Sequence, residues 1–515
     1  MTSAAEQSAE SYSPFALRVV LICSMAGVFM QALDSTIANV ALPYMQGGLA
    51  ASRDQITWVL TSYIVAAAIM TAPVGWLASR FGKKNFALVS LAGFTITSMM
   101  CGAAQSLEQM ILFRLLQGAF GAALSPLSQA IMLDLYPPAK RGSIMAIWGM
   151  GVMLGPILGP TLGGYLTDAY SWRWVFYVNV PFGIAAVAGI ALFFKDTSRD
   201  STMRFDWTGF GMFAVGLAAL QLMLDRGTTK SWFESPEIII EAVIAGLGLY
   251  LFLVHMFLGR NPFIPRALFK DRNYLSAMVL MFVTGAILLA SSALLPPYLQ
   301  HLAGYSVWDT GLLMAPRGFG TMFAMVFAGR MAMKIDPRHL MTIGTIMLAW
   351  SMWEMAHWTP AIDPWTLSWV TFLQGVGMGL VFIPMNLMAF STMPQYLRTD
   401  GTAMMSLMRN VGSAIGVSVT TTVLSASVQT NHAMLASHVT PFNRALGVNA
   451  PGVLWNPQMP FGLNQINGVI EYNAQVIAYS NDFLFMFYMS LPAILVVLLM
   501  KRVHLAPGTK VEVME

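Results

Sequence analysis

Long apolar runs, each ended by a short polar break, fill this chain from Phe15 to Met500 and leave few folds open to it. A membrane-spanning helix needs roughly 20 apolar residues. Runs of that kind recur at about 16–43, 56–78, 86–105, 108–133, 142–166, 174–194, 207–225, 237–258, 274–300, 308–332, 339–358, 364–391, 403–427 and 482–500, which predicts fourteen spans. Charge agrees with this, because only 10% of the 515 residues are Asp, Glu, Lys or Arg, against about 25% in a soluble domain. Alternate breaks also differ in sign: one set collects twenty Lys and Arg and the other five, while Arg114, Arg317 and Arg409 fall inside spans. Basic residues stay on the cytoplasmic side, so both termini are expected there. The expected fold is an all-α polytopic membrane protein with the lipid bilayer as its first partner.

The basic residues follow topology and do not cluster on one face, so a formal net charge of +4 implies no nucleic-acid partner. Cys23 and Cys101 both fall inside apolar runs and read as packed small residues. Residues 1–14 are polar and lack the basic stretch and cleavage site of a signal peptide, so they read as a disordered cytoplasmic tail. The histidines are scattered without ligand spacing, and no metal site follows.

The fifth run carries a regular stripe. Gly151, Gly155, Gly159 and Gly163 recur every fourth residue, Pro156 and Pro160 keep the same spacing, and Gly164 follows. Four residues is just over one helical turn, so the glycines share a face on which a second helix can approach backbone to backbone. The expectation is that this face seals a path between two moving halves, with Gly412 and Gly416 in the thirteenth run supplying the other side.

Halves are indeed legible. Leu116-Gln117-Gly118 with a later Pro126 in the fourth run is echoed by Leu373-Gln374-Gly375 with Pro384 in the twelfth. The break after the second run carries Gly75, Arg80, Gly82, Lys83 and Lys84, and the one after the tenth carries Gly329, Arg330, Lys334 and Arg338. These matches align only if spans 9–14 repeat spans 1–6. The expected organisation is therefore a six-helix half at 15–194, an inserted helix pair with flanking cytoplasmic loops at 195–273, a second half at 274–500, and a cytoplasmic tail at 501–515. Duplicated six-helix units of this kind are common in secondary transporters, which handle substrate between the halves.

At these residues the chain resembles the fourteen-span drug/proton antiporters of the major facilitator superfamily, the EmrB/QacA type. The segment Gly75 to Lys84 is similar to the loop signature after helix 2. Leu33-Asp34-Ser35-Thr36 through Pro43 resembles the first-helix signature, and Arg114-x-x-Gln117-Gly118 the fourth-helix one. Gly155-x-x-x-Gly159-Pro160-x-x-Gly163-Gly164 is similar to the antiporter pattern, and Trp172 to Gly183 and Leu224 to Gly227 also match. One departure is clear: the usual acidic position of the helix 2–3 loop is Ser79 here. The resemblance implies the major facilitator fold, no cofactor beyond the proton gradient, and a small amphipathic substrate. It also implies a loop latch at Gly75, Arg80, Gly82, Lys83 and Lys84 that governs the outward-facing state; the same basic residues set topology and meet anionic lipid. Gly82 is expected to permit the tight turn there.

Asp34 is the main chemical candidate. It sits about nine residues before Pro43, roughly 13 Å below the periplasmic surface, with Arg114 of the fourth run at roughly 9 Å. A carboxylate at such depth costs about 2.5–3.5 kcal/mol on insertion scales, so it must face protein or water. Two readings stand: Asp34 carries protons and Arg114 switches its affinity by approaching and leaving, or the two form a static bond that holds helix 1. The repeat sets Thr371 opposite Arg114, so the charge belongs to one half alone. Arg317, Glu354 and Arg409 are secondary charge sites that could equally be structural or interfacial, and Gln117, Gln374 and Asn386 are polar candidates for lining a cavity. Methionine, at 40 residues, and the aromatics suit adaptable surfaces.

Residues 427–481 read as a long extracytoplasmic segment in which 462–478 has the spacing of a short amphipathic helix. It is either a plain loop or, as the resemblance implies, a dock for a periplasmic adaptor leading to an outer-membrane channel. The expected function is proton-coupled export of hydrophobic or amphipathic toxic compounds across a bacterial inner membrane by alternating access. Two alternatives remain: transport of one defined metabolite, in either direction, on the same scaffold, and a non-transporting membrane receptor. No nucleotide loop, metal cluster or nucleophile arrangement suggests an enzyme.

Overall fold

The computed structural model describes residues 12–195, 204–259, 262–332, 334–439 and 460–501, and these are helical with no strand among them. The tails expected at 1–14 and 501–515 lie almost wholly outside the described residues. In chain order the long helices are α1 (Pro14–Gly48), α2 (Trp58–Thr71), α3 (Val74–Phe81), α4 (Lys83–Ala103), α5 (Leu107–Gly121), α6 (Leu124–Leu135), α7 (Pro138–Ala169) and α8 (Asn179–Phe193). There follow α9 (Trp207–Arg226), α10 (Pro236–Leu258), α11 (Arg272–Pro297), α12 (Val307–Met331), α13 (Pro337–Ala356), α14 (Pro364–Ser391), α15 (Arg398–Ala436) and α16 (Pro460–Leu499).

Start signals account for many of the boundaries. Ser13, Ser106 and Ser306, and the aspartates Asp206, Asp271, Asp336 and Asp363, each precede a helix and accept a backbone N–H of its first turn. Proline stands at the first turn of α1, α7, α10, α13 and α14, where its missing N–H is harmless. At Ala72-Pro73 the axis of α2–α3 turns by 60°. Gly82 joins α3 to α4 with φ +85°, a conformation that disfavours any side chain, which accounts for the tight turn expected there.

Among the described residues eleven helical segments are long and apolar enough to cross a membrane, and the bent α2–α3 pair makes twelve. Two more, α7 and α13, are at least as long as the shorter of these. The glycines of α7, and Arg338, His339 and Glu354 within α13, dilute their hydropathy.

The segment expected as a loop at 427–481 is corrected. Helix α15 continues to Ala436 and α16 begins at Pro460, which leaves only 437–459 between them, and 440–459 lie outside the described residues. The amphipathic stretch 462–478 is not a separate helix. Its buried positions Ile466, Ala474 and Ala478 run on in register into Asp482, Phe483 and Met486, and no glycine or proline stands between Ala474 and Met486.

Helices pair alike in both halves. In the first, α1 packs on α7 and α8, α2 on α5, and α4 on α5 and α8; in the second, α11 packs on α15 and α16, α12 on α14, and α13 on α14 and α16. Sequence register agrees: Gln117 and Gln374, Gly155 and Gly412, Gly159 and Gly416, and Arg141 and Arg398 all stand 257 positions apart. The inserted α9 packs on α10 and also touches α2 of one half and α15 of the other.

The glycine stripe has a different partner from the one expected. Gly155, Gly159 and Gly163 lie against α1, at Ala32–Leu33, Thr36 and Ile37, and Gly151 lies against Met25 of the same helix. Gly412 and Gly416 lie against Phe282 and Ala286 of α11. Both stripes bind two helices within one half and do not close one half on the other. The side chains of Pro156 and Pro160 lie outside the described residues. Contact between the halves is made elsewhere. Gly142 of α7 meets Gly329 of α12 backbone to backbone, Gly149 meets Met325 and Ile383, and the Trp148 and Phe382 rings stack with centroids 6.0 Å apart.

Candidate functional site

The first helix brings Asp34 into the centre of the N-terminal half, where its residue is wholly excluded from solvent, as is Arg114 of α5. Gly118 explains the reach of that arginine. A Cβ there would strike the backbone of Tyr63, with the carbonyl carbon and Cα each at 3.1 Å, so only glycine lets α5 lie this close to α2. At that separation the Arg114 Nε donates to the Val59 carbonyl at 3.1 Å, and the guanidinium stacks 4.2 Å from the Tyr63 ring centre with Phe176 at 5.6 Å. Arg114 Nη1 donates to Asp34 Oδ2 at 2.6 Å and to Gln117 Oε1 at 2.9 Å. The second oxygen, Asp34 Oδ1, accepts from Gln117 Nε2 at 3.0 Å and from Asn179 Nδ2 at 3.4 Å. Asn179 donates also to Ser98 Oγ at 3.2 Å, whose hydroxyl donates to the Phe176 carbonyl at 2.8 Å.

Donors from two helices, α5 and α8, thus meet the one carboxylate of α1. Three donor groups, one of them cationic, surround its two oxygens, which is the environment of an ionised Asp34. A protonated Asp34 in the same geometry would leave a buried arginine without its counter-ion, at a cost of several kcal/mol. The Nη2 of Arg114 and Oδ1 of Asn179 are buried without a partner among the described residues, so the cluster holds polar capacity for a rearranged state.

Sequence reasoning joined Asp34 to Arg114 by depth. Gln117 was a cavity candidate and turns out to bond both. Asn179, Ser98 and Tyr63 were missed; Asn179, a lone amide in an apolar run beside Pro181, was the one visible signal. The other cavity candidates do not join this site. Asn386 accepts from Gln129 Nε2 at 2.7 Å across the two halves. Gln374 is buried with neither end of its amide partnered among the described residues.

A second charged group lies at the end where the basic loops gather. Lys83 of α4 forms an ion pair with Asp134 of α6, and the Arg398 Nη1 of α15 donates to the other Asp134 oxygen at 3.0 Å. One carboxylate thereby ties the helix after the α3–α4 turn to the opposite half. Nearby, Gly75 faces Asp400 so closely that a Cβ would lie 2.9 Å from the Asp400 Cα. Lys84 instead donates to the Ala191 carbonyl at 2.8 Å, and Arg80 is half-buried with no hydrogen bond or ion pair among the described residues. Asp134, Arg398 and Asp400 were not foreseen.

The secondary charges are scattered. Arg317 bonds Ser291 Oγ at 3.0 Å, Ser292 Oγ at 3.1 Å and the Leu288 carbonyl at 3.2 Å, all on α11. Glu354 is half-buried near the end of α13, and Arg409 is half-buried midway along α15 with no side-chain partner among the described residues.

The family model described as Major Facilitator Superfamily matches residues 24–417. The "Multidrug export protein EmrB" of Escherichia coli K12 is 37% identical over 429 residues, covering 83% of this chain and 84% of its own. The protein of that name in Haemophilus influenzae is 35% identical over 444 residues, covering 85% and 86%. The "Fatty acid resistance protein FarB" of Neisseria gonorrhoeae is 35% identical over 433 residues, covering 84% and 85%. Among solved structures, the human organic anion transporter MFSD10 (TETRAN) superposes with a TM-score of 0.57 at 15% identity, over 92% of this chain and 99% of its own, a likeness of fold alone.

Proposed function

Because the chain belongs to the major facilitator superfamily, we propose that it exports hydrophobic or amphipathic toxic compounds in exchange for protons, by alternating access. The observation that carries the coupling is the buried Asp34–Arg114 pair, whose carboxylate can take a proton only when the arginine withdraws. The names of the relatives, multidrug export and fatty acid resistance, favour an amphipathic cargo. In this reading fourteen helices cross a bacterial inner membrane with both termini cytoplasmic, and the basic end with its Lys83–Asp134–Arg398 latch is the cytoplasmic face. No cofactor is needed. One charge moved across 100 mV releases about 2.3 kcal/mol, which sustains roughly a forty-fold substrate gradient at about 1.4 kcal/mol per decade. A periplasmic adaptor and an outer-membrane channel complete the proposed route. The second reading, transport of a single defined metabolite, uses the same proton step.

The test is a panel of toxic amphiphiles applied to cells that carry the intact chain, Asp34→Asn, or neither. The intact chain is expected to confer tolerance to several unrelated compounds and Asp34→Asn to none. Full proton-coupled export by Asp34→Asn in proteoliposomes overturns the coupling, and protection against one compound alone favours the single-metabolite reading.

A further inference from the structure

The second half holds a carboxylate that the Asp34 mechanism leaves unused. Asp482 lies within the continuous α16, the counterpart in the repeat of α8, which supplies Asn179 to the first cluster. Its residue is wholly excluded from solvent, and neither carboxylate oxygen has a hydrogen-bond partner among the described residues. Beside it Phe483 and Tyr479 pack in one apolar cluster with Met352 of α13, Ile287 of α11 and Val370 of α14. Gln374, in register with the Gln117 that bonds Asp34, is also buried with its amide unpartnered. A polar layer is thus present in each half, but the second has no arginine at the position of Arg114, where Thr371 stands.

A cleft of about 600 Å³ opens between α15 and α16, lined by Ser425, Gln429, His432, Glu471, Gln475 and Tyr479. Tyr479, at its inner end, precedes Asp482 by three residues and so shares its helix face. The charged and titratable groups on the helices around Asp482 have other engagements or stand apart. His432 bonds Asn467 and lies 4.0 Å from Glu471, Glu471 accepts from Gln475, Arg317 turns to α11, and neither Glu354 nor Arg409 is paired with it. Tyr298 and Tyr479 meet ring edge to face.

A buried carboxylate without counter-ion or donor neutralises itself by taking a proton. From the unpartnered, buried carboxylate beneath a polar cleft we infer that Asp482 is a second proton-binding site, neutral in this conformation and exchanging its proton with water in the α15–α16 cleft. The step balances simply: the O–H bond of the neutral acid breaks, the proton passes to water past Tyr479, and a carboxylate remains until the proton returns. The inference rests on the proton-coupled reading for its use in transport, though not for its existence.

Infrared titration of the full chain in lipid vesicles, from mildly acid to alkaline pH, tests it. The wild type is expected to show a neutral-carboxyl C=O band at neutral pH that disappears as pH rises. Asp482→Asn, which replaces the neutral acid by a neutral group of the same shape, loses that band; Asp482→Glu keeps one; Asp34→Asn leaves it in place while export fails. An unchanged band in Asp482→Asn overturns the inference. Export that survives Asp34→Asn while the band vanishes in Asp482→Asn overturns the coupling of Asp34 and leaves this site standing.

Discussion

Two glycine-to-alanine changes on the same helix separate strain borne in one conformation from strain borne in all. Gly142 opens α7 against Gly329 of the other half; a Cβ added there would fall on the Gly329 carbonyl, with its carbon at 3.2 Å and Cα at 3.6 Å. That obstacle is backbone, so it cannot swing aside. Overpacking a tight contact costs about 1–3 kcal/mol. In the alternating-access reading Gly142 and Gly329 meet only while the basic ends of the halves are together, so the whole cost falls on this conformation, and about 1.4 kcal/mol is a tenfold shift. Gly142→Ala should therefore move the population toward separated basic ends by roughly 5- to 150-fold. Gly155 is the control: its Cβ would press on Ala32 and Leu33 of α1, a contact inside one half that rocking preserves. Gly155→Ala should lower the melting temperature and leave the equilibrium in place. Distances between spin labels on the two basic ends, measured in lipid beside thermal unfolding, give both readouts. If Gly155→Ala shifts the distances as far as Gly142→Ala does, the assignment of the stripe to packing within a half is wrong.

Arg114→Met should destabilise the chain by about 3–5 kcal/mol, as removal of one member of a buried pair does, and Asp34→Asn on the same chain should restore much of it; a double-mutant cycle on thermal unfolding measures the coupling. Asp134→Asn frees Lys83 and Arg398 together and, at roughly 1.5–3 kcal/mol for a charged hydrogen bond, should separate the basic ends in the spin-label assay without touching Asp34. Asp363 caps α14 through the Thr366 N–H and hydroxyl, and these bonds hold its carboxyl below the usual carboxylate range. A depressed folded value means the stabilisation is present above the unfolded value and is lost as pH falls through the folded one. The gap in melting temperature between wild type and Asp363→Ala should accordingly be open at neutral pH and close in acid.

What the sequence made legible follows from which interactions are local. Apolar runs, caps and the glycine register depend on neighbours a turn or two away, so the helices and the duplicated half could be read directly. The Asp34–Arg114 pairing followed because depth in a membrane can be counted at a fixed rise per residue, a rule soluble chains do not offer. Lateral neighbours cannot be counted in that way. Asn179, Asp134 and Arg398 sit at plausible depths, yet nothing along the chain says which helix stands beside which. The stripe shows the same limit: its spacing announced a close helix contact, and its partner, α1 of the same half, was invisible. Asp482 escaped for another reason. A hydropathy boundary drawn at the first polar residue made it look like a span end, whereas α16 continues for more than five turns before it.

The inserted pair bears on how the two halves can move. At the end of α9, the Asp225 carboxylate accepts from the Thr61 hydroxyl of α2, while the adjacent Leu224 carbonyl accepts from Ser418 Oγ of α15 at 2.9 Å. Two neighbouring residues are thus bound to opposite halves. Two of the contacts that join the halves directly, Gly142 with Gly329 and Asp134 with Arg398, involve residues of the basic loops or beside them, whereas Leu224 and Asp225 lie at the far end of a helix that begins near such a loop. A rocking motion that opens the basic end turns about whatever stays in place, and α9 is held to both sides near the opposite end. It can follow both halves only if they rotate about a line passing close to Leu224–Asp225; a line elsewhere breaks one of the two bonds in every cycle. Asp225 is exposed, so water can take the place of the Thr61 hydroxyl, whereas Ser418 and Leu224 are buried and a broken bond between them leaves a carbonyl without a donor. The weaker tie is therefore on the α2 side.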